Sequence, residues 1–242
     1  MFPYRDENET LRAAIVTVVI IALNVLVWIM VQGAGSTVAL AQSVCNLGLI
    51  PGELTASLPV GTRFPIGDGL YCATDPGRQT AHLITSMFLH GSWMHLLGNM
   101  WFLWLFGNNV EDSMGRVRFL IFYLLCGLAA AMGQVLTNPN SAIPMGGASG
   151  AISGVMGAYL VLYPNVRVFA WVFLGFFVTS VALPAWMMLG YWFLIQFVSG
   201  LAAFGGDVGG VHRLQAGQPG DQQGVGRGEA EHIAHEVRGE AG

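Results

Sequence analysis

The sequence contains no lysine: all ten basic residues are arginine, a bias that points to a GC-rich coding sequence. Charge of either sign is scarce. Only 10% of the 242 residues are charged and 54% are hydrophobic, against roughly a quarter charged in ordinary soluble domains. That excludes an ordinary soluble domain and indicates a polytopic membrane protein. Cysteine is limited to Cys45, Cys72 and Cys126, which are not spaced as a metal-binding set. No apolar run carries the charged pathway residue of a transporter or channel. The net charge of −4 gives no reason to expect a nucleic-acid partner.

What the chain has instead is a series of apolar runs. Leu11 to Gln32 is long enough to cross a bilayer as a helix, which takes about 20 residues, and lacks the small-residue cleavage end of a signal peptide. Further runs extend from about Met94 to Phe106, from Phe119 to about Leu136 and from Ser149 to Tyr163. From Val168 to Phe204 the chain is apolar almost throughout, and Thr179, Ser180 and Pro184 suggest a break. A short membrane-embedded connector followed by a fifth span, Pro184 to about Phe204, is the expectation. The fold class is therefore an all-α polytopic membrane protein with five evident spans.

Arginine placement orients these spans. Arg5, Arg12, Arg116, Arg118 and Arg167 all fall on one side of the membrane if the spans are counted correctly, with Arg63 and Arg78 the exceptions on the other. The positive-inside rule makes that side cytoplasmic. Residues 1–10 are then a cytoplasmic N-terminus, residues 11–210 a membrane domain, and residues 33–81 a folded outer loop. Cys45 and Cys72 lie in that loop, where an oxidising compartment would allow a disulfide, the alternative being two unrelated buried thiols. Cys126, mid-membrane, reads as packing. Asn108, Asn109, Glu111 and Asp112 read as the ordinary polar end of a helix.

Against this background a few polar residues stand out. A histidine, an asparagine and a serine at bilayer depth cost free energy unless they satisfy one another, so they are functional candidates. His95 and Asn99 are four apart and share a helix face, with His90 just before them. Two donors on one stripe can hold an oxyanion. Ser149 follows Gly146, Gly147 and Ala148 at the head of an apolar run. There the unsatisfied N–H groups of a helix start favour developing negative charge. Gly150, Gly154 and Gly157 leave the run small enough for another helix to approach closely and bring a base. The plainer reading of Ser149 is a packing serine, which the His95 and Asn99 pair argues against. Metal ligation does not fit, because His90 and His95 lack the His-Glu-x-x-His spacing of metalloproteases.

The segment His90-Gly91-Ser92-Trp93-Met94-His95-Leu96-Leu97-Gly98-Asn99-Met100, followed by Gly147-Ala148-Ser149-Gly150 opening a later span, resembles the rhomboid intramembrane serine proteases. The resemblance covers roughly residues 10 to 210. It implies a six-helix core, no cofactor, a location within the lipid bilayer, and cleavage of transmembrane protein substrates near the membrane surface. It implies Ser149 as nucleophile, with His95, Asn99 and the backbone at Ser149 and Ala148 around the oxyanion. His90, Gly147 and Gly150 take structural or water-associated roles. A bacterial plasma membrane, with the N-terminus cytoplasmic, is the expected location.

The sequence departs from that pattern at the sixth helix, where the family carries an Ala-His base. Here Gly205-Gly206-Asp207-Val208-Gly209-Gly210-Val211 leads into His212 and then a polar, low-complexity stretch. No helix of that composition crosses a bilayer, and residues 211–242 are expected to be a disordered tail. Three explanations compete: an out-of-frame reading near codon 211, a five-span relative that binds transmembrane clients without cutting them, or service by His212 as the base. His212 comes several residues early and lacks an apolar helix to hold it. His232 and His235 read as solvated surface. Little or no hydrolysis is expected of the chain as written.

Overall fold

In the computed structural model the described residues are 2–67, 69–175 and 177–197. The end of the expected fifth span, the glycine-rich lead-in, His212, His232, His235 and the polar tail lie outside them. In chain order the elements are β1 (Phe2–Asp6), α1 (Ile15–Met30), α2 (Thr37–Leu47), α3 (Pro51–Leu54), β2 (Arg63–Gly67), β3 (Leu70–Ala73), α4 (His82–Thr85), α5 (Trp93–Met114), α6 (Arg116–Thr137), α7 (Ser149–Leu162), β4 (Arg167–Leu174) and β5 (Phe177–Pro184). An apolar helix α8 (Ala185–Phe197) follows. The chain divides into a unit of residues 1–190 and a second unit beginning at Tyr191, and the description below concerns the first.

Among the described residues, α6 is the helix long and apolar enough to cross a membrane, while α1, α7 and α8 are apolar but shorter. Helix α7 packs against both α5 and α6, and α1 against α5. The small residues of α7 account for the closeness of the α6 contact. A β-carbon on Gly150 would run into Ala130, and one on Gly154 into Cys126. The partner that approaches this small face is therefore α6, and Cys126 does read as packing. Space around Gly157 is open among the described residues.

Two small sheets depart from the expected all-helical chain. Where a membrane-embedded connector was expected, β4 and β5 form an antiparallel hairpin, and β1 adds to β4 as a third strand. The run is rich in Val, Phe, Trp and Thr, residues that suit a pleated surface. Val168 and Ala170 are buried while Trp171 and Phe173 are exposed, the two-residue alternation of a half-buried strand. Gly175, at φ +64°, lies at the turn. The N-terminal residues are thus a pinned strand. Tyr4 stacks on Trp171 at 4.6 Å, Trp101 Nε1 donates to the Pro3 carbonyl at 2.7 Å, and Asp6 Oδ2 accepts from Asn109 Nδ2 (2.7 Å) and the Tyr159 hydroxyl (2.6 Å). Burial raises the Asp6 carboxyl above the usual range, partly offset by the Tyr159 and Asn109 bonds.

Residues 33–81 are folded. The β2–β3 hairpin is joined to α2 by a Cys45–Cys72 disulfide with Cα atoms 5.6 Å apart, so of the two readings of this pair the covalent one is found. The Met145 and Leu49 backbones exchange two 2.9 Å hydrogen bonds, fixing the segment that leads into α7.

The polar end of α5 is more than a helix terminus. Glu111 is only 2% exposed. It accepts the backbone N–H of Val16 (2.9 Å) and of Thr17 (2.8 Å), together with the Thr17 hydroxyl (2.8 Å). Asp112 accepts the N–H of Leu11 at 2.7 Å. A helix start has unsatisfied donors that favour a carboxylate, so α1 begins at Ile15, against Glu111, rather than at Leu11. Glu111→Ala orphans the buried N–H and hydroxyl of Thr17 and the part-buried N–H of Val16 and should lower stability by about 2–4 kcal/mol. Thermal unfolding of the detergent-solubilised protein reads this, and a loss below about 1 kcal/mol would contradict it.

Candidate functional site

The site is assembled at the starts of α5 and α7. Ser92 caps α5, its hydroxyl accepting the His95 N–H at 3.1 Å, which suits serine at this position. The segment before it is clamped by Gln32, which is fully buried just beyond α1. Gln32 Nε2 donates to the His90 carbonyl and the His90 N–H donates to Gln32 Oε1, both at 2.8 Å. Sequence reasoning missed this clamp. A glutamine ending an apolar run was the available signal, and nothing marked its partner.

The α7 side is held by backbone. The Gly147 N–H donates to the Ser86 carbonyl at 2.8 Å, and Ala148 is fully buried ahead of the first turn. The first helical bond beyond it is Ile152 N–H to the Ala148 carbonyl at 3.0 Å. The earlier N–H groups, including that of Ser149, therefore lack an acceptor within the helix.

These two starts meet at Gly147. Its φ is +144°, a conformation L side chains rarely adopt, and a β-carbon placed there would lie 3.0 Å from His95 Cε1, 3.2 Å from His95 Nε2 and 3.6 Å from Ser149 Oγ. The His95 ring and the Ser149 hydroxyl thus flank a single point, and glycine is required to leave it open. The Gly91 N–H points at His95 Nδ1 at 3.4 Å. With Nδ1 the acceptor, the ring proton belongs on Nε2, the nitrogen on the serine side. Asn99 is 9% exposed, and its Nδ2 has no hydrogen-bond partner among the described residues, so a buried donor remains free one turn beyond His95. Ser149 is exposed to a cavity of about 230 Å³ bordered also by Ser86, Ala130, Gln134 and Gly150.

His90 stands behind this arrangement, its ring 5.1 Å from that of His95 at 68°. It is 1% exposed. Burial, and secondly the neighbouring His95, push it down to about 4, and neither ring nitrogen has a hydrogen-bond partner among the described residues. Of the residues expected at the site, His90, His95, Gly147, Ala148, Ser149 and Gly150 are thus brought together, and Asn99 shares the His95 helix. His212 lies outside the described residues.

Residues 77–213 match the family model described as the Rhomboid domain. The chain belongs to the rhomboid family. The match ends at Arg213, within the first residues of the polar stretch 211–242. Rhomboid protease GluP of Bacillus subtilis is 33% identical over 134 residues, 55% of this chain and 25% of that protein. Rhomboid-like protein 11, chloroplastic, of Arabidopsis thaliana is 38% identical over 72 residues, covering 30% and 25%. Rhomboid protein 1, mitochondrial, of Saccharomyces cerevisiae is 31% identical over 115 residues, covering 45% and 33%. The matched stretches span 25% to 42% of such relatives' own lengths. Rhomboid membership makes the chain an integral membrane protein with a helical, polytopic fold.

The neutral His90 gives the site a pH signature. An unfolded histidine takes up its proton near 6.5 and the folded one only near about 4. The native state therefore binds fewer protons across that window, and stability falls as pH drops through it. The unfolding midpoint should decline on acidification from about 6.5 toward about 4, and His90→Gln should flatten the decline. A wild-type midpoint that is level across the window, or an unchanged slope in the variant, would contradict this.

Proposed function

We propose that this rhomboid is built as a serine endopeptidase acting on transmembrane proteins near the membrane surface, with Ser149 as nucleophile. The observation that carries the reading is that His95 Nε2 and Ser149 Oγ both border the position a Gly147 β-carbon would take, 3.2 and 3.6 Å from it. Attack by Ser149 on a substrate carbonyl places negative charge on the carbonyl oxygen. The His95 Nε2–H, the Asn99 amide and the backbone N–H of Ser149, set by Ala148, are donors of the kind that stabilise it. Removing one such donor costs roughly 10²–10³ in rate where a full site exists.

The base is drawn from beyond the described residues, with His212 as the candidate. A base must be held within hydrogen-bond reach of its nucleophile. The polar sequence after His212 provides no apolar helix to hold it, so the chain as written hydrolyses little. The outer loop supports a substrate-facing role. An apolar cavity of about 720 Å³, bounded by α2, the β2 strand and residues 142–144, reaches Gly91 next to His95. The bilayer is the working environment, a bacterial plasma membrane with the N-terminus inside being the location that the arginine pattern favours. No metal or cofactor enters this mechanism.

The rival reading, a client-binding rhomboid without catalysis, is separated by a fluorophosphonate probe. Slow labelling of Ser149, abolished in Ser149→Ala, is expected, with cleavage of a model transmembrane substrate at or near background. Absence of labelling, or labelling unchanged in Ser149→Ala, would overturn the nucleophile assignment. Substantial cleavage lost on His212→Ala would overturn the expectation of an unsupported base.

A further inference from the structure

Two features of the surface away from Ser149 belong together. The Leu11 bond to Asp112 and the Val16 and Thr17 bonds to Glu111 hold the start of α1 against the end of α5. This brings Arg12 to the rim of a cavity of about 440 Å³ that Arg116 and Arg118 also line. Glu111 and Asp112 line the same cavity, but their carboxylates already accept backbone N–H groups. Among the described residues the one ion pair is Arg167 with Glu7, so none of the three arginines has a carboxylate partner there. They converge on one space in which three guanidinium groups face two carboxylates, leaving a formal net charge of +1.

The second feature is an apolar slot of about 230 Å³ between α1 and α6. Val19 and Leu23 form one wall, and Leu120, Tyr123 and Leu124 the other. Leu120 is four residues beyond Arg116 and so lies one turn along the same face of α6. Val16 and Leu120 in the slot lining follow Ala13 and Arg116 of the arginine cavity by three and four residues. Val18, Val19, Leu120 and Ile121 beside it are exposed, as expected of helix surfaces that face lipid.

We propose that the two form one binding site for an anionic phospholipid, its headgroup phosphate held by Arg12, Arg116 and Arg118 and an acyl chain lying in the slot between α1 and α6. Basic pockets between membrane helices recognise anionic headgroups in this way, and guanidinium groups match phosphate geometry. Charge complementarity selects the headgroup, and the adjoining apolar slot selects a lipid over free phosphate. The site is independent of the catalytic reading, since it shares no residue with it.

Native mass spectrometry of the purified full chain, offered phosphatidylglycerol or phosphatidylcholine with identical acyl chains, tests the proposal. Retention of phosphatidylglycerol should exceed that of phosphatidylcholine by about tenfold, a difference of about 1.4 kcal/mol. The triple variant Arg12→Gln, Arg116→Gln, Arg118→Gln should lose this preference. Leu120→Trp, which fills the slot and leaves the arginines in place, should lower retention of both lipids several-fold. Should the triple variant lose its helical circular dichroism, Arg118→Gln alone replaces it, with a partial loss of preference expected. Equal retention of the two lipids by the wild type, or an undiminished preference in the arginine variant, overturns the proposal. Competition by inorganic phosphate together with unaltered retention in Leu120→Trp overturns it in favour of a simple anion site.

Discussion

The structure turns on a contact that has no room for a methyl group. The ring of His95 lies 3.0 Å from where a β-carbon on Gly147 would sit, and Ser149 Oγ borders the same point at 3.6 Å. A histidine on one helix and a serine opening another can converge only if the residue between them has no β-carbon and can adopt a positive φ. Everything nearby serves that approach. The Ser86 carbonyl holds Gly147, Leu49 holds Met145, Gln32 holds the His90 backbone, and Ser92 starts α5 at the register that turns His95 inward. The proton assigned to His95 Nε2 follows from the Gly91 contact on the opposite nitrogen. In the proposed reading that proton is a donor already in place before substrate arrives, as preorganised sites require.

At the other end of α5 the same principle works for stability. Glu111 takes up the donors of the α1 start, and Asp6 binds Asn109 and Tyr159. Each acid joins segments that apolar packing alone would leave free to slide, because lipid offers helices little hydrophobic reason to associate. Three helices and the N-terminal strand are thus tied by two carboxylates. The close α6–α7 contact, by contrast, rests on small residues, Gly150 against Ala130 and Gly154 against Cys126.

Much of this was legible in the sequence for a physical reason. Polar residues at bilayer depth are costly, so His95, Asn99 and Ser149 stood out against apolar runs, and the helices α1, α5, α6 and α7 fall within or around those runs. The β4–β5 hairpin was not legible. A continuous apolar stretch carries no period by which to tell strand from helix, and here hydropathy suggested a membrane-embedded segment. The Glu111 and Asp6 ties were hidden differently. Their partners lie 94 and 153 residues away, and a carboxylate at a helix end looks the same whether it meets water or another helix. The cysteine pair lay between these cases, since its compartment allowed a disulfide without specifying one.

The central claim is that the chain through α7 already holds nucleophile and oxyanion donors in working geometry and lacks only a supported base. The most direct measurement replaces residues 211–242 with an apolar, glycine-rich helix carrying the Ala-His pattern of the family and assays cleavage of a model transmembrane substrate in proteoliposomes. Cleavage that appears with the new helix and disappears on Ser149→Ala is the result expected. A chimaera that inserts with its added helix across the membrane and still fails to cut would contradict the claim.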